Sequence, residues 1–259
     1  MKRFVYADNA ATTAVSSEVI EAMMPYFIDK WGNPSSLHSK GREAVPALIQ
    51  ARKSIAQCLG CSDTEIFFTS GGSESDNWAL KGAMHRKGGK KHLITTKIEH
   101  PAVLQSCKSL EKEGFRVTYI GVDQNGIVKL DELKAAIDDD TALVSVMLAN
   151  NEIGTIQAVR EIAQIAHAHG ALMFTDAVQA IGSIPVDVKE LEVDMLALSG
   201  HKFHAPKGIG ALYIRKGLRI ESLIDGGGQE RGRRGGTENV ALAVGLAKAM
   251  EIAVSRLQK

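Results

Sequence analysis

Cysteine is scarce: Cys58, Cys61 and Cys107 are the only three in 259 residues. So sparse and odd a set excludes a disulfide framework. Cys58 and Cys61 form a C-x-x-C, but no second C-x-x-C or H-x-x-H pair follows to complete zinc's four ligands. The pair lies in SIAQCLGCSD, which reads as the end of an amphipathic helix with Gly60 as its stop. Free thiols there pack as small apolar side chains. An excess of one charge is missing too. Lys and Arg total 31 against 30 Asp and Glu, a net charge of +1, so no nucleic-acid or polyanionic partner is implied. No segment approaches the ~20 apolar residues of a membrane helix. The first residues, MKRFVYADNAATT, hold no apolar run of the signal-peptide kind. A cytoplasmic protein without a membrane partner is expected. There is no internal repeat.

What is present is an ordinary globular composition, 44% hydrophobic, in a length that suits one large domain or two small ones. Short β-rich runs alternate with helical patterns. Strands are expected at 65–69, 92–95, 115–120, 142–148, 171–175, 194–198 and 210–214. Helices are expected from the turn SGGSES to about residue 86, and at 102–113, 130–138 and 159–169. Two further amphipathic helices, 17–30 and 39–59, precede them, and Pro46 should kink or delay the second. Residues 226–236 (GGGQERGRRGG) read as a flexible loop, and a last helix starts at Thr237. Repeated strand–helix–strand units with continuous apolar strands predict an α/β fold: three α/β/α layers around a mostly parallel sheet. Ligands of such sheets bind beyond the carboxyl ends of the strands.

Those strand ends carry a consistent set of groups. After EIFFT comes SGGSES, whose small residues and helix N-terminus make a cup for a phosphate. After ITTKIE comes His100, able to stack on a ring or carry a proton. Asn150, Asn151 and Glu152 follow the next strand, where amides can bond a polar ring substituent or simply shape a turn. Asp176 closes the run ALMFT, with Gln179 soon after; a carboxylate there needs a partner, and a protonated pyridine nitrogen is one. Lys202 follows DMLALS and can form a Schiff base with an aldehyde, with Ser199 and His201 beside it as phosphate ligands. Each feature alone has an ordinary structural reading. Together they are what pyridoxal 5'-phosphate (PLP) chemistry requires.

The blocks YADNAATT, GNPSSLHSKGREA, FTSGGSESDN, EHPAV, NNEIG, TDAVQ, SGHKFHAPKGIGALY and RRGGTENV resemble the signature segments of NifS/IscS-type cysteine desulfurases. The likeness runs from Tyr6 to about Val240. It implies a fold-type I PLP enzyme with the large domain of the aspartate aminotransferase superfamily. Residues 16–259 would be that PLP-binding domain, and residues 1–15 an N-terminal segment that normally packs with a C-terminal small domain not contained in this sequence. The implied reaction converts L-cysteine to L-alanine and leaves a persulfide on a cysteine, feeding iron–sulfur cluster assembly through a scaffold or another sulfur-acceptor protein. By position, the resemblance gives Lys202 the cofactor's imine and His100 ring stacking and proton transfer. Asp176 would pair with the pyridine nitrogen, and Gln179 and Asn151 would lie near the ring hydroxyl. Gly72, Ser73, Ser199 and His201 would hold the phosphate. Thr237 would reach the phosphate of the other subunit of a homodimer, making RGRRGG a dimer-contact loop. No metal is implied. The family's nucleophilic cysteine and its carboxylate-gripping arginine belong to the C-terminal region, and Cys58, Cys61 and Cys107 fall where the family transfers no sulfur. A selenocysteine lyase or kynureninase-like relative is an alternative, as is a non-catalytic protein that only dimerises or binds a scaffold.

Overall fold

The computed structural model describes residues 5–86 and 89–257. Seven strands form one sheet: β1 (Ile66–Thr69), β2 (His92–Thr96), β3 (Arg116–Ile120), β4 (Thr141–Ser145), β5 (Leu172–Asp176), β6 (Met195–Ser199) and β7 (Gly210–Ile214). Their order is β1-β7-β6-β5-β4-β2-β3. From β6 through β3 every pairing is parallel, while β7 runs antiparallel to both β6 and β1. β7 alone is reversed, so the carboxyl ends of β1, β2, β4, β5 and β6 meet at one edge.

Residues along each strand alternate between two apolar cores. Ile66, Phe68, Ile94, Val144, Met173, Leu196 and Leu198 belong to one. Phe67, Leu93, Leu143, Phe174, Met195 and Ala197 belong to the other. Helices α4 (Gly72–Met84) and α5 (Pro101–Lys112) cover the second core, where Trp78 meets Phe67 edge-on at 5.6 Å. Helices α3 (Ser39–Cys58), α7 (Val159–Ala168) and α9 (Val240–Leu257) cover the first. The strands are apolar on both faces because both faces are covered, which is the three-layer arrangement expected.

Several boundaries differ from those the sequence predicts. The first helix divides into α1 (Ser17–Met23) and α2 (Pro25–Ile28), because Pro25 has no N–H to continue the ladder. By contrast α3 runs through Pro46. The fourth strand ends at Ser145, not 148. Val146 and Leu148 still donate to Phe174 and Asp176 of β5, but the Met147 N–H turns to the Glu99 carboxylate at 3.0 Å. A short helix α6 (Leu130–Ala136) and a single turn α8 (Gln229–Gly232) complete the elements.

The glycine-rich stretch 226–236 is firmly tied down. Glu230, 4% exposed, accepts two hydrogen bonds from Arg52 of α3 at 2.7 Å each and one from the Phe68 N–H at 3.0 Å. Arg231 and Arg233 lie over the Phe67 ring, and Arg231 donates to the Ile66 carbonyl at 2.8 Å. Arg234 makes a two-pronged pair with Glu74 at 2.8 and 3.0 Å. Four arginines thus supply the order that glycine withholds. Arg52→Ala leaves the Glu230 carboxylate buried without its cation, and is expected to cost about 3–5 kcal/mol in urea unfolding. A loss below about 1 kcal/mol, the range of exposed pairs, would show that the pair does not anchor the loop.

His92 joins three strands. Its ring is fully buried, with Nδ1 2.8 Å from the Thr141 hydroxyl and Nε2 2.8 Å from that of Thr118. Burial lowers its pKa from 6.5, Arg116 adds to this, and Asp138 and Asp140 oppose it. The unfolded chain therefore takes up a proton that the native chain does not. Stability from this site is complete above pH 6.5 and falls as pH drops below it. Urea midpoints should decrease from neutral to mildly acidic pH, and His92→Gln should flatten that dependence. An equally steep dependence in the variant would assign it to other groups.

Candidate functional site

A cavity of about 470 Å³ opens at the carboxyl edge of the sheet. It gathers Gly72, Ser73, His100, Asn151, Asp176, Gln179, Ser199, His201 and Lys202, nine of the ten residues singled out from the sequence. The tenth, Thr237, lies elsewhere, in a surface hollow beside Tyr26, Phe27 and Trp31.

The cup at one end is built by β1 and α4. Gly71, at φ 154°, turns the chain, and α4 begins without a side-chain cap, leaving its first N–H groups available to an anion. Gly72 is required sterically: a Cβ there would lie 2.8 Å from Val178 Cγ2. Glu74 accepts from the Ser70 N–H at 2.8 Å and pairs with Arg234. Burial raises its pKa, but Arg234 and Ser70 outweigh that and lower it overall. Lys207, not singled out from the sequence, faces the same cup with Ser199 and His201.

His100 caps α5. Its Nδ1 accepts from the Ala102 N–H at 3.1 Å, which leaves the ring proton on Nε2. Pro101 in the first turn sets the entry. Beyond the end of the neighbouring strand β4, Asn151 lies on the cavity wall with its amide 3.2 Å from Glu152. Its neighbour Asn150 is structural: its Oδ1 accepts from the N–H groups of Glu152 and Ile153, and its amide donates to the Ile98 carbonyl.

Asp176 ends β5, 4% exposed, its Oδ1 accepting from the Val178 N–H at 2.8 Å. Burial raises its pKa, while that N–H, His100 and Lys202 pull it down. Lys202 stands in the 3₁₀ turn Gly200–Lys202 after the neighbouring strand β6. Burial lowers its pKa, opposed by Asp176 and Asp8. Its ammonium donates to the carbonyls of Ala10 and Ala11, and the Gln179 amide donates to Ala10 as well. The N-terminal segment is thus strapped across the site. Further bonds, Thr13 to the His201 carbonyl at 2.9 Å and the His204 N–H to the Thr13 hydroxyl at 2.8 Å, fix it to the lysine turn. His201 Nδ1 lies 3.1 Å from the Thr12 hydroxyl, and burial, then Lys202 and Lys207, lower its pKa.

Two buried acids were not anticipated. Asp76 on α4 is 1% exposed and lines the cavity, and its Oδ1 has no hydrogen-bond partner among the described residues. Glu99 is 4% exposed; its Oε1 accepts from the Thr96 hydroxyl and the Met147 N–H, and its Oε2 has no such partner. Burial pushes the Glu99 carboxyl up to about 8. The available signal was periodic: Asp76 lies one helical turn beyond Gly72 and Ser73, on the face they turn to the site. An anion cup, a lysine of lowered pKa, a ring-sized cavity and buried acid that lacks a partner fit PLP.

Comparison with known proteins identifies the family. Residues 5–258 match the aminotransferase class-V domain. The chain is 56% identical over 256 residues to a protein of Methanosarcina thermophila named cysteine desulfurase IscS, covering 98% of this chain and 63% of that one. A protein of the same name from Dictyoglomus turgidum is 53% identical over 262 residues, covering 100% of this chain and 66% of its own length. The chain therefore spans about two thirds of these curated relatives. Among solved structures, a NifS-like protein superposes with TM-score 0.95 at 50% identity, covering 98% of this chain and 70% of that one. SspA in complex with cysteine gives 0.92 at 44%, covering 95% and 72%. The fold is that of the fold-type I PLP-dependent enzymes. Within them, this chain belongs to the class-V aminotransferase family, and it is similar to proteins named cysteine desulfurase IscS and to a NifS-like structure.

None of the three thiols lines the cavity. Burial raises all of them: Cys58 to about 11, Cys61 and Cys107 to about 12. They stay as thiols at neutral pH. Cys58→Ser and Cys61→Ser should change PLP affinity by no more than about twofold, read by cofactor fluorescence. Loss of PLP binding in either variant would give the C-x-x-C a role beyond packing.

Proposed function

We propose that this chain provides the cofactor-binding site of a PLP-dependent cysteine desulfurase. The overall reaction is L-cysteine plus a protein thiol giving L-alanine plus a protein persulfide: the C–S bond breaks, an S–S bond forms, and the thiol proton passes to the product. The observation that carries this reading is the position of Lys202 and Asp176 at the ends of adjacent parallel strands, in one cavity with His100 and the α4 cup.

Bound here, PLP would supply an electron sink for charge developing at the amino acid's Cα. Lys202 would hold its aldehyde carbon, and its lowered pKa favours the neutral amine that must attack. Asp176, as a carboxylate, would pair with the protonated ring nitrogen. Asn151 and Gln179 would bond the ring hydroxyl. Gly72, Ser73, Ser199 and His201 would receive the phosphate, with the helix N-terminus adding its partial positive charge. His100 holds a proton on Nε2 and offers it at the ring. The strap carbonyls of Ala10 and Ala11 must release Lys202 for this to happen.

The thiol that accepts sulfur is none of Cys58, Cys61 and Cys107, which lie outside the cavity. The persulfide product suits iron–sulfur cluster assembly through a scaffold or another acceptor protein. We infer a homodimer in which Thr237 serves the partner's phosphate. Support comes from the apolar surface next to it, with Phe27 53% and Trp31 64% exposed. No helix among the described residues is long and apolar enough to cross a membrane, and a cytoplasmic setting agrees with three free cysteines.

The purified chain with PLP should show a visible absorption band that shifts on adding L-cysteine. Lys202→Ala should lack the band. A band that persists in Lys202→Ala, or none in the wild type with excess PLP, overturns the assignment.

A further inference from the structure

Three carboxyl groups lie behind the ring-sized cavity: Asp76 of α4, Glu99 before α5 and Asp176 at the end of β5. One side-chain atom each from Asp76, His100 and Asp176 come within 4.8 Å of one another. The three acids are unequally provided for. Asp176 has the Val178 N–H on Oδ1 and two neighbours that favour its charge, the His100 ring and the Lys202 ammonium. Glu99 has a hydroxyl and an N–H on Oε1. Asp76 Oδ1 has no hydrogen-bond partner among the described residues, although Asp76 is only 1% exposed and lines the cavity.

Two carboxylates so close and so deeply buried do not both ionise, and one keeps a proton. The proton goes to the group without donors, because an ionised carboxylate needs hydrogen bonds to remain buried. That group is Asp76. Asp176, with an N–H and nearby positive charge, is the one that carries the negative charge. Glu99 packs behind both, and its own proximity to Asp176 works against a further negative charge there.

We propose that Asp76 is a positioning residue for the reaction: an un-ionised carboxylic acid whose O–H is presented to Asp176, fixing that carboxylate and limiting its basicity toward the cofactor's ring nitrogen. The role rests on the PLP reading above. Asp176 alone, lacking this donor, would be the stronger base and would draw the proton off the ring nitrogen onto itself, which weakens the electron sink. With Asp76 donating, the proton stays on the ring.

Two measurements on the purified full chain test this. In the absence of PLP at mildly alkaline pH, infrared spectra should show a carbonyl stretch of un-ionised carboxylic acid that loses intensity in Asp76→Asn, the remainder belonging to Glu99, which burial raises to about 8. A band unchanged by that substitution means Asp76 is ionised and overturns the proposal. With PLP labelled with ¹⁵N at the ring, Asp76→Asn retains an N–H donor and should keep the nitrogen's protonated chemical shift. Asp76→Ala should move that shift toward the unprotonated value and weaken PLP binding about tenfold, the loss of one hydrogen bond to a charged group. Equal shifts and affinities in the two variants overturn the proposal. If Asp76→Ala does not fold, a displaced shift in Asp76→Asn does so alone. Zn²⁺ added by itself to the PLP-free chain should leave the infrared band in place; tight binding of Zn²⁺ that Asp76→Asn abolishes would make the trio a metal site instead. Failure of the wild type to bind PLP at all overturns the functional reading and this role with it, and is told apart by the infrared result.

Discussion

Burial of negative charge at the carboxyl edge of the sheet is the constraint around which the site is arranged. Asp176 cannot be placed there without donors and counter-charge, because a desolvated carboxylate costs several kcal/mol if left alone. The fold meets this with the backbone after β5, which turns the Val178 N–H onto Asp176, and with His100 beyond β2 and Lys202 beyond β6. The same groups suit the chemistry. A carboxylate that needs a cation is a good holder of a protonated ring nitrogen, and a lysine that loses solvent is readier to lose its proton.

The second requirement is that five strands end together. It is met by reversing only β7, which lets β1 run in the direction of β6 and bring the α4 cup beside the lysine turn. The cup is then held from behind. Arg234 pairs with Glu74 in the first turn of α4, and Arg52 pairs with Glu230 in the same loop. Glu74 is a carboxylate beside the cup, where it would repel any anion if Arg234 did not neutralise it. The arginine-rich loop therefore serves the chain's own site, independently of any contact it makes with a second subunit.

Much of this was legible because it is local. The strand 210–214 was read to the residue, and the motifs after each strand reached one cavity because parallel strands must deliver their ends to one edge. What escaped was long-range or one-sided. Arg52 and Glu230 are 178 residues apart, so no window of the sequence shows that GGGQERGRRGG is ordered. The fourth strand stops at Ser145 because Glu99, on another strand's end, captures the Met147 N–H, although VML continues the apolar run. Asp76 and Glu99 look like ordinary polar residues of a helix and a loop; only packing shows that both are buried and that one lacks a donor.

The N-terminal strap has a charge logic of its own. Lys202 must be neutral to attack an aldehyde, yet the carbonyls of Ala10 and Ala11 accept hydrogen bonds best from an ammonium. Asp8 also faces the lysine and favours its charge. The strap therefore stabilises the unreactive form, while burial favours the reactive one, and the two are opposed in the same few ångströms. Were PLP held through Lys202, as proposed above, that nitrogen would keep at most one N–H and could no longer donate to both strap carbonyls. The segment 8–11 would then lose its hold on the cavity, while Thr12 and Thr13 keep it attached through the His201 and His204 bonds. On the proposed function, cofactor capture would thus loosen the strap through the donors that Lys202 gives up.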